Sequence, residues 1–111
     1  MTVNQISVFL ENKAGQLAEL TNVLSSNGIS MRALSIADTR DYGIARIMVD
    51  DPFGTLIILK DNGWIAKVTP VLAVSMEDKA GALDTILNVL AKAGIALEYV
   101  YAFLTDRKSV V

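Results

Sequence analysis

The sequence predicts an α+β protein with an antiparallel sheet. It is laid out as a tandem repeat of one β-α-β-β-α-β unit whose second copy is incomplete. Three observations lead there. First, Glu11-Asn12-Lys13-Ala14-Gly15-Gln16-Leu17 returns 66 positions later as Glu77-Asp78-Lys79-Ala80-Gly81-Ala82-Leu83. Second, residues 11–45 and 77–111, held in that register without a gap, agree at 11 of 35 positions, including Asn22-Val23-Leu24 on Asn88-Val89-Leu90 and Gly28-Ile29 on Gly94-Ile95. Agreement of that extent marks two copies of one supersecondary unit. Third, the apolar spacing within each copy reads as strand, turn, helix, strand, which is the split-βαβ or ferredoxin-like pattern.

The elements of the first copy follow in order. Val3 to Leu10 is a β-branched and apolar run that suits a strand. Asn12-Lys13-Ala14-Gly15 is a turn. Leu17, Leu20, Val23 and Leu24 then recur at helical spacing, with polar residues opposite. Asn27-Gly28 closes that helix, because glycine readily takes the left-handed conformation past a helix end. Ser30 to Ala37 and Tyr42 to Val49 read as strands, joined at Thr39-Arg40-Asp41 by a hairpin connection. Asp51-Pro52 starts a second helix with an N-cap and a proline at the first helical position, and Asn62-Gly63 ends it. Gly54, Thr55, Ile57 and Ile58 are poor helix formers, so the segment sets its caps against its own composition; the caps decide for helix. Trp64 to Val68 is the fourth strand.

The first repeat is thus assigned to residues 1–70 and the second to 71–111. The second offers a strand from Val71 to Met76, a helix from Ala80 to Ala93, a strand from Ala96 to Leu104 and the start of another near Ser109. Its last helix and strand have no counterpart in the sequence. A longer parent chain or a completing partner would each account for that; a bare strand edge is prone to aggregation.

Composition narrows the chemistry. The 111 residues include no histidine and no cysteine. Imidazole bases, thiol nucleophiles, disulfides and thiolate or imidazole metal sites are therefore unavailable. No cofactor is expected, and the expectation is a protein that is not an enzyme. Ten basic and twelve acidic residues give a net charge of −2, without the basic footprint that nucleic acid requires. The longest apolar stretch, Tyr99 to Leu104, is six residues, far short of the roughly 20 that span a bilayer. The N-terminus lacks the pattern of a signal peptide, so a cytoplasmic protein without a membrane partner is expected. A mean hydropathy of +0.43 predicts extensive burial, or an oligomer that hides apolar surface.

The strand followed by Asn12-Lys13-Ala14-Gly15-Gln16-Leu17 and an amphipathic helix ending in Asn27-Gly28-Ile29 resembles the ACT domain. That family carries an acidic residue or Asn, then x-Pro-Gly-x-Leu, at this turn; here Ala14 and Ala80 stand where it usually has proline. Asp78-Lys79-Ala80-Gly81-Ala82-Leu83 repeats the match. Ala33 to Thr39 with Asp41 to Ile44 is similar to small stand-alone tandem ACT proteins. The resemblance implies a regulatory module that binds a small molecule, most often an amino acid. The site would lie where the first turn of one unit meets a strand edge of another. It would involve Asn12, Lys13, Ala14, Gly15, Gln16 and Leu17 of the first turn, and Asp78, Lys79, Gly81, Ala82 and Leu83 of the second.

The residue chemistry agrees with that implication. Gly15 and Gly81 let backbone approach a ligand, the following helix presents free N–H groups to a carboxylate, and Asn12 or Asp78 could meet an ammonium group. Plain structural uses stand beside each. The glycines permit a tight turn, Asn12 and Asp78 cap a helix, Lys13 and Lys79 sit in solvent, and Leu17 and Leu83 belong to the core. Tyr99, Tyr101 and Phe103 alternate on one strand face as packing. Met31, Met48 and Met76 suit core positions on strands. Asp50-Asp51 suits helix capping better than a cation site, and Arg32 and Arg46, on neighbouring strands, suit surface ion pairs. The expected partners are an amino acid or related small molecule, a second copy in a homodimer or larger homo-oligomer, and a metabolic enzyme under allosteric control. The alternative is a protein-protein interaction module or regulatory subunit with no small-molecule ligand of its own.

Overall fold

A computed structural model of the chain describes residues 2–11, 13–38, 42–77, 79–105 and 108–110. The chain forms two compact units, Thr2–Val71 and Leu72–Val111. The first contains β1 (Thr2–Glu11), α1 (Gln16–Ser26), β2 (Ala33–Asp38), β3 (Tyr42–Met48), α2 (Pro52–Asp61) and β4 (Ala66–Leu72), whose last residue falls in the second unit. The second contains β5 (Ser75–Glu77), α3 (Ala82–Lys92), β6 (Phe103–Thr105) and β7 (Lys108–Val110).

In the first unit the strand order is β2-β3-β1-β4. β3 runs antiparallel to both neighbours, with Val8 opposite Ala45 and Ile36 opposite Ala45 on its other side. Alternation along β1 puts Ile6, Val8 and Leu10 on the buried face, where they meet Ala45 and Ile47 of β3, Leu20 and Leu24 of α1 and Leu59 of α2. Those side chains are the core. Burying an aliphatic side chain contributes about 1.5–3 kcal/mol, so this cluster dominates the unit's stability.

The predicted α2 is a helix, and its cap is visible. The Asp51 side chain accepts a hydrogen bond from the Gly54 N–H at 3.1 Å, and Pro52 occupies the first turn. Thr55 and Leu59, four apart, are buried, while Phe53 and Ile57 are exposed. Capping and one buried face outweigh weak helix propensity.

In the second unit the order is β5-β7-β6. Its register repeats that of the first. Ser75 lies opposite Val110 and Phe103 opposite Val110; 66 positions earlier, Phe9 and Ala37 both lie opposite Ile44. α3 buries no residue, whereas α1 buries Leu20 and Leu24.

Several element boundaries differ from the sequence expectation. β2 starts at Ala33 rather than Ser30, β4 begins at Ala66 and continues to Leu72, and β5 is confined to Ser75–Glu77. The expected strand Ala96–Leu104 is reduced to Phe103–Thr105, the residues that pair with β7. Tyr99 and Tyr101 are accordingly not strand residues; their rings stack at 6.5 Å. Met31 and Arg32 precede β2 instead of lying in it. Leu17 and Leu83, expected in the core, are each 38 % exposed. The hairpin connection Thr39-Arg40-Asp41 lies outside the described residues.

Candidate functional site

The turn between β1 and α1 is held by its own backbone. The Lys13 N–H donates to Glu11 O at 2.9 Å, the Gln16 N–H to Lys13 O at 3.4 Å, and the Glu19 N–H to Gly15 O at 2.9 Å. Gly15, the helix N-cap, has φ 83°, and among the described residues no side chain caps the helix. A side chain at that φ would be strained, although a Cβ there would meet nothing within 4 Å. Glycine is therefore required by conformation and not by crowding. The backbone at this point faces open space, and the helix behind it presents uncapped N–H groups.

The second turn repeats these contacts. Lys79 N–H donates to Glu77 O at 2.9 Å, Ala82 N–H to Lys79 O at 3.3 Å and Thr85 N–H to Gly81 O at 3.0 Å. Gly81 has φ 88° and again no side chain among the described residues caps the helix. Both lysines sit on the glutamate two residues back, Lys13 at 3.4 Å from Glu11 and Lys79 at 2.9 Å from Glu77, all exposed. Such exposed pairs are worth little energetically, but they fix where the ammonium groups stand.

The turns differ in one device. In the first, Gln16 Oε1 accepts from the Glu11 N–H at 3.1 Å while its Nε2 donates to Glu19 Oε2 at 3.3 Å. One amide thus ties the end of β1 to the first turn of α1. In the second, Ala82 and Thr85 occupy those positions, and Thr85 Oγ1 donates to Gly81 O at 3.0 Å instead.

Of the residues the sequence singled out, Lys13, Ala14, Gly15, Gln16 and Leu17 lie in the first unit, and Lys79, Gly81, Ala82 and Leu83 in the second. Asn12 and Asp78 lie outside the described residues. Arg32 pairs with Asp50 at the surface, and Asp51 is a cap, as the plain readings have it.

Beside the first turn is a cleft of about 450 Å³. One wall is α1 with Glu19, Asn22 and Val23; the other is the α2–β4 connection from Asn62 to Ile65. Glu11, Lys13 and Gln16 close it on the turn side. Trp64, half-buried, packs on the core and anchors its connection through an N–H to Leu59 O bond of 3.0 Å. Sequence reading missed this second wall. Asn62-Gly63 reads as a helix stop and Trp64 as a strand start, and no local pattern brings them opposite Glu19.

The chain belongs to the ACT domain pair family, whose model matches residues 1–111. No curated protein matches it. Among solved structures it is similar to protein BT0572 from Bacteroides thetaiotaomicron, with 39 % identity and a TM-score of 0.91 over 99 % of this chain and 76 % of that one. It also shares its fold with the regulatory subunits of aspartate kinase from Thermus thermophilus (14 % identity, TM-score 0.64, 99 % of this chain and 84 % of that one) and from Thermus flavus (16 %, 0.70, 99 % and 82 %). The ferredoxin-like α+β class and the ACT resemblance are both borne out. Among the described residues no helix is long and apolar enough to cross a membrane.

Proposed function

We propose that this protein is a non-enzymatic regulatory module, with repeats at 1–70 and 71–111, that binds an amino acid or closely related small molecule at an interface between ACT units. One observation carries this reading: the same turn is built twice, with a left-handed glycine, no side-chain cap among the described residues, and open space where a Cβ would stand. Uncapped helix N–H groups favour a carboxylate, and Asn12 or Asp78 in the turn would meet the ammonium group. Binding between units would shift their arrangement by its differential affinity. Titration calorimetry of the folded protein against the twenty amino acids tests it. A saturable heat for one or a few, lost in Gly15→Val, is expected; heat from none would sink the reading.

A second reading, a protein-binding surface, is favoured by the edge strand β2. Leu34 and Ile36 lie opposite Ile47 and Ala45, on the sheet face that carries the core, yet are 43 % and 44 % exposed. An exposed apolar edge pairs readily with another chain. The expected outcome is a dimer or larger assembly of this chain, lost in Ile36→Lys when mass is measured by light scattering. A regulated metabolic enzyme as partner is consistent with the regulatory names of the fold's neighbours, and co-purification tests it.

A further inference from the structure

We infer that the cleft between α1 and the α2–β4 connection takes a small organic cation, an amine or guanidinium on a short apolar body. The cleft shares Glu11, Lys13 and Gln16 with the proposed turn site, but the inference rests on Glu19, Asn22 and the α2–β4 wall, which that reading does not use.

Charge is the first argument. The cleft is lined by the carboxylates Glu11 and Glu19 and by one ammonium, Lys13. Lys13 already sits on Glu11 at 3.4 Å. Glu19 has no cation partner among the described residues; its contact is the neutral amide of Gln16, at 3.3 Å. That bond leaves one Glu19 oxygen for another donor while the brace from Gln16 orients the carboxylate. An anion entering here meets net negative charge, and a cation meets a held acceptor.

The second argument comes from the repeat. Asn22 and Asn88 occupy the same position in the two units. Asn88 turns its Nδ2 back to Asp84 O at 2.8 Å. Asn22 makes no such bond among the described residues and lines the cleft instead. Its amide oxygen is a further acceptor beside Glu19, one turn along the same helix face.

The third is shape. Val23 and Trp64 supply apolar lining, and an indole face attracts cations. The volume of about 450 Å³ lies within the range of small-molecule pockets. The second unit keeps Lys79, Asn88 and Val89 but has Ala82 and Thr85 in place of Gln16 and Glu19, so this chemistry belongs to the first unit alone.

Trp64 is the only tryptophan in the chain, which makes its fluorescence a direct probe. The full chain is titrated with butylamine and with agmatine, against n-butanol and butyrate at matched ionic strength. A saturable change with the two cations, absent with the alcohol and the acid, is expected. Glu19→Gln should weaken it about tenfold, the scale of losing a hydrogen bond to a charged group. Asn22→Asp, which adds a carboxylate, should tighten it. The inference is overturned by silence to both cations, by equal responses to butanol or butyrate, or by Glu19→Gln and Asn22→Asp titrating like the parent. An amino acid that binds by calorimetry while Trp64 stays silent would leave the turn reading standing and remove this one.

Discussion

Gly54 stands in the first turn of α2, where alanine is ordinarily the better helix former. Its surroundings reverse that preference: a Cβ there would come within 2.2 Å of Asp51 Oδ2, the carboxylate that caps the helix. Gly54→Ala should therefore destabilise the first unit by about 1 kcal/mol, the cost of a lost N-cap. In an Asp51→Ala background the same change should be neutral or stabilising, and urea denaturation of the four variants checks this. Gly15 and Gly81 differ in kind, since nothing crowds them and only φ requires glycine. Alanine at either should cost about 1 kcal/mol. Asp50 supplies a pH prediction. The hydrogen bond from Arg32, with the guanidinium charge adding to it, holds the Asp50 carboxyl below the ordinary aspartate range. A depressed folded value stabilises the fold above the unfolded value and is lost as pH falls through the folded one. The contribution is present above the ordinary aspartate range, is lost as pH falls below it, and is small at so exposed a site. Carboxyl NMR titration should show the Asp50 midpoint rising in Arg32→Ala.

At the scale of elements, α1 and α3 share a pattern but not an environment. Leu24 is buried and Leu90, its counterpart, is half-buried. Leu24→Ala should cost about 3 kcal/mol and Leu90→Ala about 1, because only the first opens a cavity in a closed core. Measuring each by denaturant unfolding separates them. Most of this scale was legible in the sequence. The strand–turn–helix order, the caps at Asp51 and Asn62, and the outward lysines all follow from local chemistry. What was not legible depends on partners distant in the chain. The pairing of β6 with β7 and the exposure of Leu17 are both set by what lies beyond the element itself. The α2–β4 wall of the cleft is positioned by packing of Trp64 on a core assembled from β1, α1 and α2. Periodicity within one element carries no information on such encounters.

Across the molecule, burial is uneven. Among the described residues the first unit holds every fully buried apolar side chain, so opening free energies should follow the division at residue 71. Hydrogen exchange should be slowest in β1 and β3, and faster throughout α3, even though α3 has the sequence of a strongly amphipathic helix. Equal protection of α1 and α3 in the free protein would contradict the burial of Leu20 and Leu24 as its cause.

The amide of Gln16 has a consequence beyond its own turn. The two turns share their backbone hydrogen bonds, but among the described residues only the first has a side-chain amide that ties the strand end to the helix. The protein thus contains a paired comparison, a braced loop and an unbraced twin under identical solvent conditions. Ala82→Gln together with Thr85→Glu should carry the stitch across, and would show whether duplication gave this chain a spare or a second instrument.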